Sequence, residues 1–262
     1  MDLLILGSVL MCAGLFALGG LLDGSDNSND EDTSPNPDDP PTQYGTTGDD
    51  DLTANEGLLK AWGGDDTITL SGDATGEGGS GDDTITATDH AEGFGGLGDD
   101  SLSASGTSTL HGDTGNDLLQ AESEANVFGD AGDDTLVGQD QTTLSGGAGA
   151  DLIYSNDRSH AFGNSGNDTL DASTTNTELD GGTGDDLLII SHGATDNADG
   201  VTVEMGSGND VAFIDPQALV KSTEAGGANP IILTNVSATD RIIIGGATDE
   251  DPLFVDGYDL HW

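Results

Sequence analysis

The apolar positions of this chain are sparse and regularly spaced. A Leu or Ile follows the pattern Gly-x-Asp by two positions, first at Leu52 and last at Leu188, and in copies such as Thr84-Ile85-Thr86 polar residues lie on both sides of it. This alternation predicts a short, half-buried β-strand in each copy. A second apolar position lies midway between copies, and we expect it to face the interior as well. These second positions are Phe94, Leu110, Phe128, Leu144, Phe162 and Leu179.

The aspartates of this pattern are almost evenly spaced. Successive steps are 16 residues once, 17 residues six times, and finally 18 and 24 residues. A near-constant step predicts a solenoid in which each coil repeats the one before it. Small residues that follow the first strand, such as Ala87 and Ala104, fit a thin core. The aspartates are Asp50, Asp66, Asp83, Asp100, Asp117, Asp134, Asp151, Asp168, Asp186 and Asp210.

A glycine-rich turn precedes each aspartate. The full form Gly-Gly-x-Gly-x-Asp-x-(Leu/Ile) occurs at 78–85, 95–102, 146–153 and 181–188. The intervening segments, such as Thr88–Glu92 and Glu122–Ala125, lack paired glycines. One coil is therefore expected to contain a strand, a plain turn, a second strand and a glycine turn.

This turn resembles the nonapeptide repeat of the hemolysin-type, or RTX, calcium-binding proteins over roughly residues 45–212. The resemblance implies an all-β fold, a right-handed parallel β-roll or β-solenoid, whose glycine-rich turns bind Ca²⁺. Each coil has two turns, and only one of them carries the motif here. We therefore expect a single row of ions along one edge. Nine evenly spaced turns leave room for up to about eight ions.

The expected calcium ligands are oxygen atoms, which this hard cation prefers. The side-chain ligands would be the carboxylates of the ten spaced aspartates. Glycines allow a positive φ and bring backbone carbonyls inward. The backbone ligands would lie near Gly78, Gly81, Gly95, Gly98, Gly112, Gly115, Gly129, Gly132, Gly146, Gly149, Gly163, Gly166, Gly181 and Gly184.

Composition suggests that the metal and the fold depend on each other. The chain has 50 Asp and Glu against 4 Lys and Arg, a formal net charge of −46, which excludes nucleic acid as a partner. Of the 240 residues after Leu22, 44 are Leu, Ile, Val or Phe, which is below the ~20% under which a highly charged chain is typically disordered. We therefore predict that residues 45–200 fold only when calcium offsets the repulsion of the aspartate column.

The N-terminal region has a different pattern. Leu3–Leu22 contains no charge and is long enough for a helix of ~30 Å, so residues 1–22 are expected to be a single-pass anchor or a cleaved signal segment. Residues 23–44 are acidic and proline-containing and are expected to form a disordered linker. The lone Cys12 excludes an intramolecular disulfide. We expect the protein to be exported and held at the cell surface by this segment, with secretion after cleavage as the alternative.

The C-terminal part, residues 187–262, is expected to hold the last coils and a β cap. The repeat domain itself is assigned to 45–186. Strand-like runs continue in the C-terminal part at Val201–Val203, Val211–Ile214, Ile231–Leu233 and Arg241–Ile244. Solenoids require a cap that covers the last coil and blocks edge pairing. Residues 235–244 resemble, loosely, the segment that follows the repeats in RTX proteins.

No catalytic site is expected. The zinc-protease motif His-Glu-x-x-His is absent, and the five histidines are isolated from one another. A carbohydrate-active solenoid, lyase-like or epimerase-like, is one alternative to a calcium-binding protein. An ice-binding or surface-binding solenoid is another, because Thr67-Ile68-Thr69 and Thr84-Ile85-Thr86 begin a threonine ladder. A protein or glycan partner is not identified by the sequence.

Overall fold

The computed structural model describes residues 41–173, 177–191, 201–215 and 231–244, and the backbone of 254–255 and 258–259. These residues form an all-β parallel solenoid and contain no helix. The strands are β1 Thr42–Tyr44, β2 Asp51–Lys60, β3 Thr67–Ser80, β4 Thr84–Ala87, β5 Glu92–Leu97, β6 Ser101–Ala104, β7 Thr109–Thr114, β8 Leu118–Glu122, β9 Asn126–Ala131, β10 Thr135–Gln139, β11 Thr143–Ala148, β12 Leu152–Ser155, β13 His160–Ser165, β14 Thr169–Ala172, β15 Glu178–Asp180, β16 Leu187–Ile190, β17 Val201–Glu204, β18 Val211–Ile214, β19 Ile231–Thr234, β20 Arg241–Ile244, β21 Phe254–Val255 and β22 Tyr258–Asp259.

Each coil contributes one strand to each of two parallel sheets. In the first sheet Ile85 pairs with Ile68 and Leu102, each one coil away. The second sheet is formed by the strands that follow the plain turns, as where β5 pairs with β7 and β7 with β9. The long strands β2 and β3 run through both sheets. The 17-residue step thus places equivalent residues side by side, as the spacing predicted.

The core is a thin layer between the two sheets. The apolar residue two positions after each aspartate is buried in the described coils from Ile68 to Leu188, which confirms the prediction. Small residues in either sheet leave room for the large side chains that point into the core. A Cβ at Gly93, for example, would lie 2.6 Å from Leu110 and 3.1 Å from Ile85. Ala87, Ala104 and the equivalent small residues are buried, as expected.

The prediction for the second strand is half correct. Leu110, Leu144 and Leu179 are buried, but Phe94, Phe128 and Phe162 lie on the outer face and are only partly buried. The register explains the difference, because Leu110 pairs with Gly93 and Val127, one residue before each phenylalanine. Side chains alternate along a strand, so the next residue must point outward. Two apolar candidates at adjacent positions left the phase ambiguous in the sequence.

The strands from Leu187 onward continue the same two sheets. β16, β18 and β20 pair in parallel with the first sheet, and β15, β17 and β19 with the second. The longer steps between these coils fall at 192–200 and 216–230, outside the described residues. β21 and β22 pair antiparallel, the one such pairing in the described strands. The C-terminal cap remains a prediction.

At the N-terminus, β1 pairs with Leu58–Lys60 and so adds three residues of the expected linker to the second sheet. Residues 23–40 of that linker and the apolar segment 1–22 lie outside the described residues. Within the described part of the chain, no helix is long and apolar enough to cross a membrane.

Candidate metal centre

The ten spaced aspartates form one continuous column on the edge that carries the glycine turns. The backbone N–H of each aspartate donates to the Oδ1 of the aspartate in the following coil, at 2.7–3.2 Å. We call this column the inner ladder. Each carboxylate is therefore held by the preceding coil, in addition to the hydrogen bonds between strands.

The second carboxylate oxygen of the inner ladder has a different environment. Within the described coils, nine Oδ2 atoms are buried and accept no hydrogen bond. Buried polar atoms are almost always partnered, and leaving one unpaired is costly, most of all when it carries charge. The nine belong to Asp66, Asp83, Asp100, Asp117, Asp134, Asp151, Asp168, Asp186 and Asp210.

A glycine at the first position of the turn provides the space for this oxygen in most coils, while Ala61 and Met205 stand at that position before Asp66 and Asp210. A Cβ at Gly129 would collide with Asp134 Oδ2 and lie 2.6 Å from the carbonyl oxygen of Gly146 in the next coil. Equivalent contacts recur at Gly78, Gly95, Gly112 and Gly163. A carboxylate oxygen and a carbonyl oxygen therefore approach the same position, where two acceptors repel one another unless a cation or a proton lies between them.

The third glycine of each turn is required for another reason. Gly81 has a φ of 125° and Gly115 a φ of 145°, which side-chain-bearing residues rarely adopt. These glycines reverse the chain between the second strand and the aspartate, as the sequence predicted.

Burial raises the pKa values of the nine buried inner-ladder carboxyls from Asp66 to Asp210, and for most of them the charge of neighbouring carboxylates adds to the effect. The pKa of Asp117 and of Asp151 is raised to about 7 from an ordinary 3.8. The pKa of Asp83, Asp100 and Asp186 is raised to about 6. The hydrogen bond from the preceding backbone N–H opposes this shift and is outweighed by burial. The charged form of this column is therefore disfavoured by its own fold.

At both ends of the inner ladder the Oδ2 atom accepts hydrogen bonds, whereas the Oδ2 atoms of the coils between them do not. At the first coil, Thr46 donates its N–H and its hydroxyl to Asp50 Oδ2, at 2.6 and 2.9 Å. At the last, Asp240 accepts the N–H of Asp210, while the N–H of Ser237 reaches its Oδ2 at 2.6 Å. Asp240 is thus an eleventh member that the spacing rule missed. The signal for it was the aspartate two residues before Ile242 in the sequence.

A second ladder runs beside the first on its solvent side. The residue before each inner aspartate accepts, through its side-chain Oδ1, the backbone N–H one coil later, at 2.8–3.1 Å. We call this the outer ladder, and its direction is opposite to that of the inner one. It is interrupted at Ala150, which has no side-chain oxygen. Its members are Asp49, Asp65, Asp82, Asp99, Asn116, Asp133, Asn167 and Asp185.

The donor set suits a hard cation that prefers oxygen. In the described coils, no three His, Cys, Asp or Glu side chains converge on one point, because the carboxylates follow one another along a line. A calcium ion on this column would therefore need backbone carbonyls as well as carboxylates. The inner-ladder Oδ2 atoms and the carbonyls of the first glycines are the residue atoms that fit this requirement. Asp50 differs, since it is only partly buried and its Oδ2 has donors.

Within the described residues, His111 and His160 do not join this column. His111 Nδ1 is 2.8 Å from Asp130 Oδ2, and His160 Nδ1 is 2.9 Å from Glu178 Oε2. Both lie on the outer face of the second sheet, in different rows. They are surface polar residues, as predicted.

Comparison with known proteins agrees with these repeats. Residues 69–91, 103–136, 125–153, 142–157 and 161–189 match the family model of the RTX calcium-binding nonapeptide repeat (4 copies). No curated protein and no solved structure matches the chain. Coils of about 17 residues within 69–189 of the solenoid therefore match the RTX calcium-binding repeat.

Proposed function

Because its coils carry RTX calcium-binding repeats, we propose that this protein is a non-enzymatic calcium-binding solenoid. A single row of Ca²⁺ lies along the inner ladder, bound by carboxylates of the spaced aspartates and by carbonyls of the glycine turns. The ion count is up to about eight, one for each gap between neighbouring turns.

One observation carries this proposal. Nine consecutive inner-ladder Oδ2 atoms are buried and accept no hydrogen bond within the described coils. A fold that repeats the same unpaired anionic oxygen in every coil gains stability when a cation binds there, because the cation converts repulsion into coordination. A solenoid whose turns were merely tight would not require a buried carboxylate at each of these positions.

The same reasoning makes calcium binding part of folding. The charged column is disfavoured by burial and by the proximity of neighbouring carboxylates, so the coils at neutral pH are destabilised without an ion. Ligand that binds only the folded state stabilises it by mass action. Calcium therefore shifts the chain from a largely disordered ensemble to the stacked coils.

This dependence suits an extracellular protein. Extracellular calcium modules bind with dissociation constants of ~10⁻⁴–10⁻³ M, which suffices outside a cell and not in cytosol. We propose that residues 1–22 direct export and hold the protein at the cell surface by one membrane segment. Residues 23–40 then separate the solenoid from the membrane. The large remaining acidic charge keeps the exposed solenoid soluble.

Calcium titration of the full chain tests the proposal. Isothermal titration and native mass spectrometry at pH 8 are expected to show several ions bound per chain at millimolar calcium. Substitution of Asp134 by Asn should lower this number, whereas substitution of the neighbouring outer-ladder Asp133 by Asn should not. Absence of binding at millimolar calcium, or equal loss in both variants, would contradict the proposal.

A further inference from the structure

The outer face of the second sheet carries three stacked rings. Phe94, His111 and Phe128 are direct neighbours on adjacent strands β5, β7 and β9. The ring centroids of Phe94 and His111 are 5.1 Å apart, and those of His111 and Phe128 are 4.6 Å apart. The interplanar angles are 10° and 8°. One imidazole is therefore inserted between two phenyl rings that belong to alternate coils.

A polar group fixes the edge of this imidazole. Asp130, 19 residues after His111, brings its Oδ2 to 2.8 Å from the ring Nδ1. The side chains of both residues are partly exposed. The arrangement is thus a surface site for one planar nitrogen-bearing group, with two aromatic walls and one polar side chain at its rim.

The same arrangement recurs two coils further on, without the inserted ring. Phe128 and Phe162 lie on the strands either side of Ser145, in direct register with it. Parallel strands are ~4.8 Å apart, so alternate coils place the two phenylalanines about 10 Å from each other. Ser145 carries only a hydroxymethyl group where the preceding site has an imidazole. In the described structure the stacked series ends at Phe128.

The second site also has a polar residue at its rim, in the position that corresponds to Asp130, but this residue is uncharged. Asn164 follows Ser145 by the same 19 residues, and its Nδ2 donates to Ser145 Oγ at 2.8 Å. The hydrogen bonds of this amide use Nδ2, to Ser145 Oγ and the Phe162 carbonyl, so its Oδ1 remains an acceptor at the rim. The second site therefore offers two ring faces, with an amide oxygen at its rim, to a planar N–H donor.

We propose that Phe128, Ser145, Phe162 and Asn164 form a binding slot for one arginine side chain of a partner protein. A guanidinium is planar, stacks on aromatic faces and donates in its own plane, which matches the walls and the rim. Charge complementarity favours a cationic occupant, because the chain has 50 acidic against 4 basic residues. The slot requires the folded coils but does not use the inner ladder.

The test compares two peptide probes on the full chain in millimolar calcium. Acetyl-Gly-Arg-Gly-amide and acetyl-Gly-Lys-Gly-amide have equal charge, and only the first has a planar cation. Binding is followed by NMR through the upfield shift of the side-chain protons next to the cation. The arginine peptide is expected to bind about 3-fold more tightly than the lysine peptide, with one such site per chain.

Three variants locate the site. Ser145→His fills the slot with the ring found at the preceding site and should abolish the preference for arginine. Phe162→Leu removes one wall and should do the same. His111→Ser should create a second slot between Phe94 and Phe128 and raise the number of arginine sites to two.

The proposal is overturned if the wild type binds both peptides equally, or if Ser145→His and Phe162→Leu retain the preference. An unchanged site number in a folded His111→Ser variant would also contradict it. The calcium-dependent circular dichroism of each variant is the control for folding. Because calcium is saturating throughout, a failure of the slot is distinct from a failure of calcium binding.

Discussion

The backbone N–H of Asp117 donates to Oδ1 of Asp134, one coil further on, at 2.7 Å, while Oδ2 of Asp134 is buried and accepts no hydrogen bond. One oxygen of this carboxylate thus connects two coils, and the other accepts no hydrogen bond that would offset the cost of its burial. Repetition of this relationship makes the column both a continuous hydrogen-bonded ladder and a line of unsatisfied charge.

In chelator, the solenoid should lose stability as pH rises. Burial raises the pKa of Asp117 and Asp151 to about 7, so the folded chain binds more protons than the unfolded one between about pH 4 and 7. The free energy of unfolding therefore falls across this window as the column ionises. The β signal in far-UV circular dichroism, recorded in EGTA, should be larger at pH 4.5 than at pH 8. A β signal that increases with pH in EGTA would contradict this expectation.

Asp134→Asn should have opposite effects with and without calcium. The variant removes a buried charge but keeps an oxygen to accept the N–H of Asp117, so its stability in EGTA at pH 8 should increase. In saturating calcium it loses a ligand, and its stability should decrease. Asp133→Asn is the matched control on the exposed outer ladder, where an amide oxygen serves equally well, as Asn116 shows. The β signal of circular dichroism in EGTA and the urea midpoint in saturating calcium give the comparison for both variants.

If Asp134→Asn shifts stability in the same direction in both conditions, its carboxylate has no special relation to calcium. A large change in stability on Asp133→Asn would show that the charge of the outer ladder, rather than that of the inner ladder, matters for calcium.

Gly129→Ala should destabilise the calcium-loaded solenoid by about 1–3 kcal/mol. The added Cβ would displace Asp134 Oδ2 and press on the carbonyl oxygen of Gly146, the two acceptors assigned to the ion. The calcium concentration at half-folding should rise in parallel. Gly48→Ala is the control, because a Cβ there meets nothing within 4 Å and the expected change is below about 0.5 kcal/mol. Equal urea midpoints for the two variants would show that Gly129 has no spatial role.

Trp62→Gly should stabilise the first coils by about 1 kcal/mol. Trp62 has a φ of 83°, at a position where Gly79 and Gly96 stand in the next two coils, and its side chain is 57% exposed. Replacement relieves backbone strain at the cost of the ring contact with Tyr44, whose centroid is 6.5 Å away. Tyr44→Ala measures that ring contact alone. Thermal unfolding in calcium provides the readout, and a lower midpoint for Trp62→Gly would contradict the strain argument.

The coil length and the inward residues of the first sheet could be predicted from the sequence. The constant step fixes which residues pair, and a lone apolar residue between polar neighbours, such as Ile85, leaves one choice of inward face. The second strand offered two choices at Val127 and Phe128, and only the register with Leu110 decides between them. The alternation of side chains along a strand does not by itself show which of these two residues faces inward.

The carboxylate network was predicted in part. Side-chain identity at the inner positions pointed to a cation, but the direction of each hydrogen bond depends on backbone geometry that spacing does not encode. The outer ladder was treated as variable, although Asp or Asn precedes the inner aspartate in nearly every copy. Asp240 was missed because it follows Asp210 by 30 residues and lacks the glycine turn, while the pairing of β18 with β20 places it in line.

The measurement that tests the central claim most directly is the far-UV circular dichroism of the full chain at pH 8, recorded in EGTA and then during titration to millimolar calcium. The account predicts a largely disordered spectrum in chelator and a cooperative return of β signal with calcium, reversed on renewed chelation. A β spectrum that is the same in EGTA and in calcium would contradict it.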